Sequence, residues 1–150
     1  MIGINFRIEN EYGSPLKKIF NQICINKYYW KIEFAETYNY TNEELDDNMF
    51  NKDILTGTEF ENEVNIEIYY MIFLTALAFK NKEDIVQINN YNDFAKSKSE
   101  LAFICSDNEY ISIFCKDRSV LEQILNNCKN HNFENVEIIT EENNTMFNFV

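Results

Sequence analysis

The order and period of the apolar residues predict an α+β domain. It is expected to be two-layer, with a mixed, mostly antiparallel sheet of five or six strands. Two main amphipathic helices would cover one face, and short helices would come from the 41–64 region. Three observations carry this expectation. Segments with alternating apolar residues are interleaved with helical stripes, yet without the strict β-α-β-α order of a parallel sheet. The chain is 45% apolar and 25% charged, the balance of a globular protein rather than a disordered tail. Its 150 residues contain one proline and three glycines, so no Pro/Gly/Ser-rich linker divides them and a single domain over 1–150 is expected.

Taken in order, Ile2, Ile4, Phe6 and Ile8 alternate with polar or small residues, the period of a half-buried strand. Ser14-Pro15 then offers an N-cap and a first-turn proline, followed by Leu16, Ile19, Phe20 and Ile23 on one stripe, which predicts a helix over 15–24. Residues 28–35 alternate again, with Trp30, Ile32 and Phe34 opposed to Lys31 and Glu33. Thr41-Asn-Glu-Glu44 and Thr56-Gly-Thr-Glu59 both have the spacing of a capping box, predicting two short helices with Leu45 and Met49, then Phe60 and Val64, as their packed pairs.

The longest apolar run, 68–79, is interrupted only by Thr75 and reads as a strand buried on both faces, with the middle helices shielding part of the second one. Asn90 caps a short helix over 91–97. Residues 101–105 and 110–115 form a hairpin around Asp107-Asn108. Asp117, or Ser119 with Glu122, caps a helix with Leu121, Ile124, Leu125 and Cys128 on one face and His131 at its end, where a cation is favoured. Residues 135–140 are a last strand, and 146–150 an edge strand or a packed tail.

The scarcities exclude whole classes of chemistry. Gly3, Gly13 and Gly57 lie too far apart for a dinucleotide fingerprint or a phosphate-binding loop. A lone histidine cannot build a multi-His metal site, and G-x-S-x-G is absent. Cys24, Cys105, Cys115 and Cys128 contain no C-x-x-C pair and read as small apolar core residues, reduced, as in a cytoplasmic protein. The start lacks the pattern of a signal peptide, and the apolar run of 68–79 is shorter than the roughly 18–20 residues that span a bilayer. No cofactor, catalytic residue or metal site is therefore expected, and the two N-x-T triplets carry no weight among 23 asparagines.

Charge is the feature that points outward. Of a net −12, residues 33–67 hold −10: eleven acidic side chains opposed only by Lys52. Such a concentration attracts a basic partner and repels phosphate backbones and anionic membranes. Glu43, Glu44, Asp46 and Asp47, with the neighbouring Tyr38 and Tyr40, are the candidate partner-binding residues, since tyrosine offers large contact area at small entropic cost. A solvated face that only maintains solubility is the bland alternative. The function expected is a non-enzymatic protein-binding module for a basic partner, an immunity or antitoxin-type inhibitor being one concrete form. The alternative is a small-molecule enzyme or sensor with a pocket between the sheet and the middle helices, involving Tyr38, Tyr40 or Glu33. A homo-oligomer burying the tyrosines is a third.

At Asn10-Glu-Tyr-Gly-Ser-Pro-Leu16, Tyr28-Tyr-Trp-Lys31 and Tyr110-Ile-Ser-Ile-Phe-Cys-Lys116, the chain resembles a small bacterial domain family of unknown function. That family is about this long and occurs chiefly in Firmicutes. The resemblance implies a bacterial, cytoplasmic source, and brings no catalytic residues with it.

Overall fold

The computed structural model describes residues 1–9, 13–41, 44–47 and 49–149, with only the backbone of Thr41, Asp46 and Asp47. Among these the strands are β1 (Gly3–Arg7), β2 (Tyr29–Thr41), β3 (Glu44–Asp47), β4 (Ile54–Leu55), β5 (Tyr69–Phe79), β6 (Ser99–Ser106), β7 (Tyr110–Cys115) and β8 (Glu134–Ile139). The helices are α1 (Pro15–Ile19), α2 (Gly57–Val64), α3 (Tyr91–Lys96) and α4 (Arg118–Asn130). The strands form one sheet in the order β3-β2-β5-β6-β7-β1-β8, with β4 also paired to β2. Every pairing among the described residues is antiparallel, so the α+β class holds with more strands than expected and no parallel pair among them.

Local signals set several boundaries. Asp107 and Asn108 both have positive φ, 52° and 67°, in the three-residue loop between the paired Ser106 and Tyr110, and Cys105 pairs with Ile111. The Asp117 carboxylate accepts from the backbone N–H of Ser119 and Val120 at the start of α4. Asn90 accepts from Asp93 N–H at α3, and Thr56 and Glu59 form the reciprocal box that starts α2. His131 caps α4, and Asn132 leaves it with φ 53°.

The two faces of the sheet are covered unequally. On the first, α1, α2 and α4 pack Leu16, Ile19, Phe60, Val64, Leu121 and Ile124 against Trp30, Phe103 and Ile113. Trp30 stacks on Phe60 with ring centroids 4.0 Å apart, and Phe50 stacks on the same ring at 5.9 Å. On the second face, Leu77, Phe79, Ile104 and Phe114 are covered by Ile88, by Phe94 of α3, and by Phe149. Phe149 N–H donates to the Asn89 carbonyl, and its own carbonyl accepts from the Thr75 hydroxyl. Through Phe149 the segment before residue 150 packs as a tail and forms no edge strand among the described residues.

Three expectations about where helices form and lie need correction. The segment expected to be a helix after Thr41 is a strand: β2 continues to Thr41 and Glu44–Asp47 folds back along it, Tyr40 facing Leu45. Leu45, expected to pack beside Met49, is 58% exposed, whereas Met49 is buried. The helix expected over 15–24 ends at Ile19, because the buried Asn127 amide takes the carbonyls of Ile19 and Asn21 and Gln22 turns to φ 65°. Third, α2 lies on the same face as α1 and α4, so the second face is shielded by α3 and the tail rather than by the middle helices.

Buried polar contacts tie this layer to the sheet. The Tyr69 hydroxyl accepts from Leu16 N–H at 3.1 Å and donates to the Val64 carbonyl at 2.9 Å, joining the start of α1 to the end of α2. The Ser14 hydroxyl, expected to cap its own helix, instead donates to the carbonyls of Ile66 and Glu67. Tyr69→Phe leaves two buried backbone groups unpaired and is expected to cost about 2–4 kcal/mol in urea unfolding. Phe60→Ala, which removes the middle ring of the stack, is expected to cost about 3–5 kcal/mol in the same measurement.

All four cysteines are free, and only Cys24 is exposed. Burial pushes the thiols of Cys105, Cys115 and Cys128 up to about 12, 11 and 12. A thiol reagent at mildly alkaline pH is therefore expected to label Cys24 rapidly in the native protein, and the other three only after denaturant is added.

Candidate functional site

Strand β2 runs beyond the helical layer, and two register irregularities determine which side chains it shows to solvent. They fall between Ile32 and Phe34 and between Glu36 and Thr37. After them, Ala35 pairs with Leu74 and Thr37 with Met71, toward the helices, whereas Phe34 pairs with Thr75, Glu36 with Phe73 and Tyr38 with Tyr70, toward the second face. Here α3 and the tail no longer cover the sheet: Phe34 is 43% exposed, and Phe73, Tyr70 and Tyr38 are half-buried. Phe34 meets Phe73 edge-on at 6.2 Å, and Tyr40 meets Tyr70 at 6.3 Å. An open groove of about 280 Å³ lies between Phe34, Phe73, Thr75, Ile104 and Phe149.

The predicted site residues are only partly gathered. Tyr38 points to this open face, its hydroxyl donating toward Glu36 Oε1 at 3.5 Å. Tyr40 stands opposite Leu45, and Glu44 is exposed at the start of β3. The backbones of Asp46 and Asp47 pair with Asn39 and Tyr38, while their side chains, and Glu43 entirely, lie outside the described residues.

The acids of 33–67 divide between two layers. Glu59, Glu61 and Glu63 ride on α2 above the first face, and Glu36 belongs to the second. Several already have partners: Glu59 caps α2 and pairs with Lys52, Glu33 accepts from Ile88 N–H at 3.5 Å, and Glu36 accepts from the Tyr38 hydroxyl. The Lys52 ammonium and the Thr56 backbone N–H hold the Glu59 carboxyl down at about 2.

The exposed part of this surface offers carboxylates, phenols and aromatic rings. It can accept hydrogen bonds, attract cations and take an apolar side chain into its groove. The space between the sheet and α2, where the alternative reading places a pocket, is filled by the Phe50–Phe60–Trp30 stack. Among the described residues no group of three or more His, Cys, Asp or Glu could hold a metal ion, and no helix is long and apolar enough to cross a membrane. The sequence pattern does not announce this surface, because it reads Phe73 as part of a strand buried on both faces, Leu45 as packed on a short helix, and the strand of Phe34 as ending at 35.

Glu63 is half-buried on α2, and its Oε2 is enclosed without a hydrogen-bond partner. Desolvation raises its pKa. A raised carboxyl pKa binds its proton more tightly in the folded state, so the favourable contribution is present in acid and is lost as pH rises from the ordinary carboxyl value through the raised one. Glu63→Gln is therefore expected to raise the melting temperature at neutral pH and to change it less at pH 4.

No solved structure matches the chain. The uncharacterised protein YncE of Bacillus subtilis (strain 168) is 38% identical over 145 residues, covering 95% of this chain and 94% of that protein. The family model described as "Protein of unknown function (DUF2691)" matches residues 1–150. The chain belongs to the DUF2691 family of bacterial proteins of unknown function.

Proposed function

We propose that this domain is a non-enzymatic binding module that recognises a basic protein partner through the acidic, tyrosine-bearing outer part of its sheet. One observation carries this reading. The open half of the second face brings Glu36, Tyr38, Phe34 and Phe73 onto one side of β2 and β5, beside the exposed Glu44 and Leu45 of β3. Aromatic anchors within a polar, acidic rim are what a protein interface uses, while the surrounding negative potential accelerates encounter with a cationic surface.

The net charge of −12, with the Glu36 and Glu44 carboxylates on this surface, supports a basic partner over a nucleic acid or an anionic membrane. Inhibition of a basic toxin, such as a nuclease, is one role that fits this chemistry, and a cytoplasmic setting suits it.

The test is affinity capture from lysate of the source organism at low and at physiological ionic strength, where the screening length falls to about 8 Å. The wild type is expected to retain a basic protein that is lost when Glu43, Glu44, Asp46 and Asp47 are changed to lysine, and weakened by Tyr38→Ala. A partner held equally well by the reversed variant contradicts the reading.

A further inference from the structure

On the same face of the sheet, but across β7, β1 and β8, lies a groove of about 480 Å³ with a different character. This is within the roughly 300–1,000 Å³ of small-molecule sites. Its floor is polar: the Ser112 hydroxyl, nearly buried, donates to Asn5 Oδ1 at 2.6 Å. Among the described residues the Asn5 amide nitrogen donates to nothing, which leaves it free for a ligand.

The rim is built by an irregularity in β8. The register passes from Asn5 opposite Glu137 to Arg7 opposite Glu134, so Asn135 and Val136 together stand across from Phe6. Asn135 takes φ 54°, a conformation asparagine tolerates, and Val136 packs toward the helices. This extra residue puts both Asn135 and Glu137 on the groove, and among the described residues neither side chain has a hydrogen-bond or ion-pair partner. Asn144 of the tail lines the opposite wall, and the Tyr110 ring, 54% exposed, forms one end.

Charge narrows the ligand class. Among the described residues that line the groove the one cation, Arg7, is engaged by Glu109 at 2.8 Å and Glu134 at 3.8 Å, with its guanidinium over the Tyr110 ring. Together with Glu137 the site is net negative, which disfavours phosphates and carboxylates. Three side-chain amides and a carboxylate, beside an aromatic ring, offer donors and acceptors in close alternation. A sugar's hydroxyls need that arrangement, since each both donates and accepts, and its C–H face lies against a ring.

We propose that this groove is a binding site for a neutral saccharide, with Asn5, Asn135 and Glu137 holding its hydroxyls and Tyr110 its apolar face. The site is separate from the acidic surface and does not depend on the partner-binding reading.

The experiment is titration of the isotope-labelled protein, followed by backbone amide shifts, with glucose, N-acetylglucosamine and their β-1,4-linked disaccharides at millimolar concentration. Adenosine and inorganic phosphate serve as controls. At least one saccharide is expected to give saturable shifts centred on Asn5, Ser112, Asn135 and Glu137. Affinity is expected to fall about tenfold in Asn135→Gly, which keeps the left-handed backbone, and in Glu137→Ala. Both positions are exposed, so both variants are expected to melt like the wild type. The proposal is overturned if no saccharide shifts these amides, if the variants bind unchanged, or if adenosine or phosphate alone produces the response.

Discussion

An eight-stranded antiparallel sheet has two faces to cover, and the helices among the described residues cover one of them and only part of the other. The helical layer of α1, α2 and α4 occupies the first face. The second is covered over part of its area by α3, Ile88 and Phe149. Strand β5 feels this division along its own length. Its residues toward Phe79 are buried on both sides, whereas toward Tyr69 only every other residue faces a core. Exposed aromatic and polar side chains in the remaining area follow from that shortage of cover, and both proposed sites lie on it.

Keeping the layers in place depends on polar groups as well as apolar ones. The Tyr69 hydroxyl and the Asn127 amide each join two elements from within the first core, and Thr75 secures the tail through the Phe149 carbonyl. In a dry interior such groups are costly to leave unpaired, so each bond also selects one arrangement of its elements. The tail bond matters especially because Phe149 is a wall of the apolar groove.

Signals contained within one turn or one helix end were legible in the sequence. Asp117, Asn90, the Thr56–Glu59 box and the Asp107-Asn108 turn each act within a few residues, and each performs as its spacing predicts. Thr41–Glu44 has the same spacing as Thr56–Glu59 but a different outcome. A cap contributes about 1 kcal/mol, and pairing along a strand already held by β5 outweighs it. The end of α1 was hidden for a related reason, since the amide that takes its last carbonyls comes from Asn127, more than a hundred residues away. The saccharide groove shows the limit most clearly: Asn5, Ser112 and Asn135 come from three strands, and no local spacing announces either their meeting or the irregularity in β8.

The half-covered second face is the claim on which the functional reading stands, and hydroxyl-radical footprinting of the free protein measures it directly. Phe34, Tyr110 and Leu45 are expected to oxidise at rates near those of free side chains, while Phe94, Phe114 and Phe149 on the covered half stay protected. Protection of Phe34 and Leu45 equal to that of Phe114 would show that this face is closed in solution and would contradict the account.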